Sequence, residues 1–170
     1  MDSQTTSDVR TPGQRALIWV GSIGPIGRAP ASGTVCVALV GIPLVWLMQT
    51  YLVSVGMYIG GTACLALAAV AIHQVGDRVL GVKDSRLLVW DELVGFAIAM
   101  TAVPMTWRLV VLGFLLERAI DIAKVYPANV VERRVPGGWG VVGDDVVAGL
   151  YTLGALHLAC AAVPGWVGLG

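Results

Sequence analysis

A run of 48 residues between Arg28 and Asp77 contains no Asp, Glu, Lys or Arg. One bilayer crossing takes about 20 residues, so this run must turn once and cross twice. The best place for the turn is Gln49-Thr50-Tyr51, which predicts helices over 34–49 and 53–74. The polar stretch from Gly76 to Arg86 then reads as a loop. A third helix is expected over 88–103, stopping at Pro104, and a fourth over 107–125, ahead of Pro127. Residues 129–143 read as another loop, and 144–163 as a fifth helix ending at Pro164-Gly165. Composition agrees, since 13% of the 170 residues are charged and 56% are hydrophobic, against about 25% charged in soluble domains. The expected fold class is all-α, a polytopic integral membrane helical bundle of about five helices with interfacial or re-entrant loops. Residues 1–15 are a polar N-terminal segment, and 16–170 form a single transmembrane domain. The apolar stretch after that segment is broken by Gly24, Pro25 and Gly27, so no cleavable signal peptide is expected.

Eleven basic and eleven acidic residues cancel, which leaves no basic field to attract nucleic acid. If the helices alternate in direction, every basic residue except Arg108 falls on one side of the membrane. By the positive-inside rule that side is cytoplasmic. The acids Asp77, Asp84, Asp91, Glu92, Asp121, Asp144 and Asp145 sit at the same ends. Cys36, Cys64 and Cys160 lack the close pairing of zinc or redox motifs and read as small buried hydrophobes.

A charge near a helix centre costs roughly 2.5 to 3.5 kcal/mol on insertion scales, so these acids should meet something positive. Asp91 and Glu92 open the third helix, Asp144 and Asp145 open the fifth, and Asp121 lies in the last turns of the fourth. Carboxylates converging from three helices make a cage for a hard cation, and Mg²⁺ suits carboxylate oxygens with retained water. The competing reading makes them helix N-caps and interface ion pairs, Asp144 foremost. Arg118, Asp121 and Lys124 are spaced by three and share one helix face. Two cations bracketing an acid suit a site that holds a phosphate beside its metal; a surface ladder is the alternative. His73 and Asp77 share a face at i and i+4, as a site residue or an ordinary hydrogen-bonded histidine would. The glycine-rich segments 21–34 and 136–140 lack the Gly-Lys-Ser/Thr ending of a P-loop. They present backbone N–H groups to an anion, with Thr34 as a cap, or form re-entrant turns.

Four strings occur in order: Ser32-Gly33-Thr34 after a Gly/Pro-rich stretch, Trp90-Asp91-Glu92-Leu93-Val94-Gly95, Arg118-Ala119-Ile120-Asp121-Ile122-Ala123-Lys124, and Gly137-Gly138-Trp139-Gly140 running on to Gly143-Asp144-Asp145. Together, from about Ala16 to Pro164, they resemble the phosphatidylglycerophosphatase A family of bacterial membrane enzymes. The family usually shows Pro-Gly-Thr where this chain has Ser32-Gly33-Thr34, and Lys-Pro where it has Lys124-Val125. Both exchanges touch loop geometry more than chemistry.

The resemblance implies a Mg²⁺-dependent phosphatase that converts phosphatidylglycerophosphate to phosphatidylglycerol and inorganic phosphate, in phospholipid biosynthesis. Its place would be the bacterial inner (cytoplasmic) membrane, as a multi-pass protein with its site facing the cytoplasm. The expected catalytic residues are Asp121, Asp91, Glu92 and Asp145. Arg118, Lys124, Thr34, Gly33 and His73 would bind the phospholipid substrate. Asp91, Glu92, Asp121, Asp144 and Asp145 would hold the metal. Attack by water is favoured over a phosphoenzyme, because the Asp-x-Asp-x-Thr motif of aspartyl-phosphate phosphatases is absent. The alternative function is a non-enzymatic membrane protein that binds a divalent cation, as a channel or a scaffold.

Overall fold

The structure is a computed structural model and describes residues 10–168. Residues 1–9 of the expected polar segment lie outside the described residues, and the rest of that segment leads into helix α1 (Pro12–Gly21). Thr11 caps α1 with a reciprocal box: its hydroxyl accepts from the Gln14 N–H at 3.3 Å, and the Gln14 amide oxygen accepts from the Thr11 N–H at 2.8 Å. A tight loop follows, and Ala31 in a left-handed conformation (φ 51°) turns the chain into α2, which runs Ser32–Tyr51. Pro43 has no N–H to give to the preceding turn. The helix absorbs this by widening to π geometry over Val37–Gly41 just before it, with the Ile42 N–H bonded to the Val37 carbonyl.

Ser54 caps α3 (Val55–Leu80), and Gly81 ends it at φ 72°. Then come α4 (Trp90–Ala99), α5 (Trp107–Ala123), α6 (Ala128–Arg134), α7 (Gly138–Ala162) and the short α8 (Pro164–Val167). The described residues are helical with no strand, so the all-α expectation holds. Ser32–Tyr51, Val55–Leu80 and Gly138–Ala162 are long and apolar enough to cross a membrane.

The boundaries differ from the sequence reading in three places. The expected crossing over 88–103 is the ten-residue α4, about 15 Å long at 1.5 Å per residue and half of a bilayer core. Gln49 explains why it stops: its side-chain amide donates to the Met100 and Val103 carbonyls, both at 2.9 Å, and so terminates the helix from outside. Such a short element is tolerated because protein surrounds it, with Leu93, Val94, Phe96 and Ala97 all buried. Second, α3 continues beyond residue 74 to Leu80, because its polar residues His73 and Asp77 face inward. Third, 129–143 is not a loop. It holds α6 and the first turns of α7, where the Gln74 side chain accepts the Gly138 N–H at 2.9 Å. A β-carbon on Gly138 would press on the Val70 carbonyl, so glycine lets α7 cross α3 closely. Cys36 is buried as expected, whereas Cys64 is exposed on the outer face of α3.

Helices α4 and α7 meet in the same way, through Gly95 against the Asp145 backbone and Gly149 against the Gly95 carbonyl. The main core, with Val45, Phe96, Met100, Leu109 and Leu156, fills the middle of the bundle. Its packing fixes the ends of α2, α4, α5 and α7 against one another, which is where the polar residues gather.

Candidate active site

At one end of the bundle a cavity of about 530 Å³ opens between the α1–α2 loop, the start of α2, the 81–88 segment, α4, α5 and α7. Six carboxylates line it (Asp84, Asp91, Glu92, Asp121, Asp144 and Asp145) against three cations, Arg86, Arg118 and Lys124. Asp91, Asp144 and Asp145 are buried, and such an excess of negative charge is costly without a further cation.

Helix geometry brings the acids together. Asp144 and Asp145 lie past the first turn of α7, since that helix begins at Gly138 behind Gly137. Asp144 is therefore not a helix N-cap, contrary to the competing reading. Asp121 is in the last turn of α5, where Lys124 closes the helix in a left-handed conformation. One ligand atom from each of Asp121, Asp144 and Asp145 lies within 4.8 Å of the others. This donor set fits a hard cation such as Mg²⁺, which takes carboxylate oxygens and keeps several waters.

Asp91 and Glu92 line the same cavity from the first turn of α4 but stand outside that three-acid group. Asp91 Oδ1 lies 3.2 Å from His73 Nε2, and His73 Nδ1 lies 3.6 Å from Asp77. The Asp77 carboxylate in turn accepts the backbone N–H groups of Asp84 and Ser85 at 3.0 and 3.2 Å. His73 is fully buried and does not line the cavity, so it reaches the site through Asp91. The chain Ser85–Asp77–His73–Asp91 ties the 81–88 segment to α4.

The cations are fixed as firmly. Arg118 makes a two-pronged pair with Glu117, Nε and Nη2 each donating at 2.7 Å. Its Nη1 lies 3.4 Å from Asp121 and its Nη2 3.5 Å from Asp145. Lys124 donates to Asp144 at 2.6 Å and lies 3.2 Å from Glu132 and 3.7 Å from Asp84. Partial burial pulls the Lys124 ammonium pKa down, but the Asp144 hydrogen bond and surrounding acids outweigh it and hold it above its ordinary value. Burial, and after it the charge of Asp91, raises the Asp84 carboxyl above its ordinary value.

Gly33 and Thr34 are in the first turn of α2 and line the cavity. Thr34 is not the cap expected of it, since Ala31 occupies that position without a side-chain bond. The reason for Gly33 is steric. A β-carbon there would sit 2.7 Å from the Glu92 carboxyl carbon and 3.0 Å from Arg118 Nη1. Gly33→Ala should therefore push Glu92 and Arg118 apart at about 1–3 kcal/mol of overpacking. The expected result is reduced turnover with unchanged helical circular dichroism.

Glu117 and Glu132 did not emerge from the sequence. Residues one apart on a helix do not face each other, so helical spacing does not pair Glu117 with Arg118. The available signal was a lone carboxylate directly after the apolar run 109–116, which needs a partner at that depth. Glu132 lies on α6, within the segment read as loop.

Comparison with known proteins places the chain in a family. The model of the family described as phosphatidylglycerophosphatase A matches residues 19–160, which hold every cavity-lining residue. The chain is 35% identical over 115 residues to phosphatidylglycerophosphatase A of Escherichia coli, covering 67% of this chain and 62% of that protein. It therefore spans less than two thirds of that relative's length. It is 30% identical over 132 residues to phosphatidylglycerophosphatase A of Haemophilus influenzae, covering 76% of this chain and 78% of that protein. A third relative, 32% identical over 116 residues with 64% of this chain and 72% of its own length covered, is a Bacteroides thetaiotaomicron protein named as a candidate phosphatidylinositol-3-phosphatase. No solved structure matches the chain. The match to the family model extends over most of the sequence, and this chain belongs to the phosphatidylglycerophosphatase A family.

Proposed function

We propose that this chain is a Mg²⁺-dependent phosphatase that hydrolyses phosphatidylglycerophosphate to phosphatidylglycerol and inorganic phosphate at the cytoplasmic face of the inner membrane. The observation that carries the reading is the group of Asp121, Asp144 and Asp145, with ligand atoms within 4.8 Å, beside Arg118 and Lys124 in one cavity. These three acids would hold the ion, with Asp91 and Glu92 across the same cavity. When bound, Mg²⁺ supplies charge stabilisation for the phosphoryl oxygens.

The chain's own residues do the rest. Arg118, held rigid by Glu117, presents Nη1 toward the phosphoryl oxygens, and Lys124 adds a second positive charge. The amino-terminal end of α2, at Gly33 and Thr34, offers backbone N–H groups that have no partner within the helix. A cavity carboxylate accepts a proton from water as its oxygen attacks phosphorus in line. The phosphorus–oxygen ester bond breaks, and the glycerol oxygen leaves and takes up a proton, from the carboxyl just protonated or from water, to give the alcohol.

The orientation rests on charge. Arg86, Arg118 and Lys124 line the cavity and Lys83 bonds the Val135 carbonyl near it, while Arg108 bonds the Trp166 carbonyl at the other end, a distribution that favours a cytoplasmic cavity. Every acid among the described residues lies in or beside that end, which favours a phosphatase over a cation channel, whose acids should recur through the bilayer.

The test is phosphate release by purified full-length protein from phosphatidylglycerophosphate and from phosphatidylinositol 3-phosphate, with Mg²⁺ and with chelator. Release from the first lipid, abolished by chelator and restored by Mg²⁺, is expected. Chelator-insensitive release would remove the metal from the account, and preference for the inositol lipid would reassign the substrate.

A further inference from the structure

A second cavity, of about 490 Å³, lies against the charged one on the far side of a shared wall. The wall is made of adjacent residues that point to opposite sides. On α4, Trp90 and Leu93 line the second cavity while Asp91 and Glu92 line the first. In the loop before α2, Gly24 and Pro25 line the second cavity while Gly27 and Pro30 line the first. The loop is held in this divided posture by the Ser22 hydroxyl, which donates to the Gly24 carbonyl at 2.9 Å. The Trp90 indole N–H donates to the Val20 carbonyl at 3.0 Å, tying α1 to α4.

The two cavities have opposite chemistry. The second has no charged side chain, and Val40, Leu44, Leu65 and Leu93 are among its lining residues. It also has direction. Ser32 is beside the charged cavity, and Val40 and Leu44 lie eight and twelve residues farther along α2, about 12 and 18 Å away at 1.5 Å per residue. A charged pocket and, across one wall of adjacent residues, an apolar furrow lined along α2 by Val40 and Leu44 match a ligand whose anionic head reaches over that wall from a hydrocarbon tail. A peptide would bring backbone groups for which this furrow offers few partners.

We propose that this groove takes one acyl chain of the phospholipid whose phosphate enters the charged cavity, and so sets the chain length the site accepts. The inference rests on the phosphatase reading above. Trp19 and Trp90 flank the groove at the depth where the head joins the tail, the usual place for amphipathic indoles. Leu44 is the α2 lining residue farthest from Ser32, about 18 Å along the helix, so added bulk there should obstruct long chains and spare short ones.

Leu44→Trp in the full-length protein tests this, with phosphate release measured from dihexanoyl and dioleoyl phosphatidylglycerophosphate in the same mixed micelles. Leu158→Trp, on the exposed face of α7, is the control for added bulk. The expected result is a fall of about tenfold in kcat/KM for the dioleoyl lipid, with the dihexanoyl lipid and the control unaffected. A penalty equal for both lipids, or no penalty, overturns the groove assignment while leaving the phosphatase reading in place. A changed oligomeric state of Leu44→Trp in detergent, with equal loss on both lipids, would assign the groove to a second copy of the chain. If Leu44→Trp does not fold, Val40→Phe fills the same groove and is judged by the same comparison. Failure of the unsubstituted protein to release phosphate from either lipid would instead remove the phosphatase reading itself.

Discussion

Asp121→Asn should lower kcat by about 10³ while leaving the protein inserted and folded. A bound divalent cation supplies several kcal/mol of charge stabilisation in phosphoryl transfer, and about 4 kcal/mol corresponds to 10³ in rate. Among the three clustered acids Asp121 is the cleanest to replace, because its side chain is 19% exposed whereas those of Asp144 and Asp145 are 5% and 4% exposed. Asparagine keeps the shape and removes the charge, and the neighbouring Arg118 retains Glu117. The check is steady-state kinetics on the phospholipid together with size-exclusion behaviour in detergent. Turnover within a few-fold of the unsubstituted protein would return Asp121 to the role of an interface ion pair.

Arg118→Ala should have the largest effect on stability. Arg118 is buried and faces Glu117, Asp121 and Asp145 at 2.7, 3.4 and 3.5 Å. Removing one partner of a buried pair leaves an uncompensated charge at a cost of about 3–5 kcal/mol. Glu117 is itself fully buried and would lose its salt-bridge partner. Glu117→Ala should cost less, because Arg118 would keep two other carboxylates nearby. Thermal unfolding in detergent should rank the unsubstituted protein above Glu117→Ala, and Glu117→Ala above Arg118→Ala. The reverse order would mean that the buried Arg118 cation depends on Glu117 more than the surrounding carboxylates depend on Arg118.

The parts of the fold that could be read in advance are those set by hydrophobicity and chain reversal. The uncharged run from Arg28 to Asp77 must hold two long helices, and Gln49-Thr50-Tyr51 does end the first of them. The helix over 107–125 stands as α5, within two residues. What escaped prediction depends on contacts between distant segments. Gln49 shortens α4 by capping carbonyls some fifty residues away, and nothing local to 88–103 announces it. Glycines 137, 138 and 140 look like a loop by propensity, yet they start a helix because α3 needs the close approach and Gln74 caps it.

The site shows the same division. That Asp91, Glu92, Asp121, Asp144 and Asp145 share one cavity follows from their positions at helix ends of equal depth. Their arrangement within it does not. Side-chain reach puts Asp121 with Asp144 and Asp145, and turns Asp91 toward His73 instead. Likewise Arg118 lies within the expected arc of α5, but its firmest partner is the adjacent Glu117, a pairing that helical spacing rules do not anticipate.

The central claim is that Asp121, Asp144 and Asp145 share one divalent cation. Its most direct test is Mn²⁺ binding to purified full-length protein, followed by electron paramagnetic resonance with Mg²⁺ as competitor. The account predicts saturable binding that Mg²⁺ displaces and that Asp121→Asn and Asp145→Asn each abolish. Binding that survives both substitutions, or active protein that binds no Mn²⁺, would contradict it.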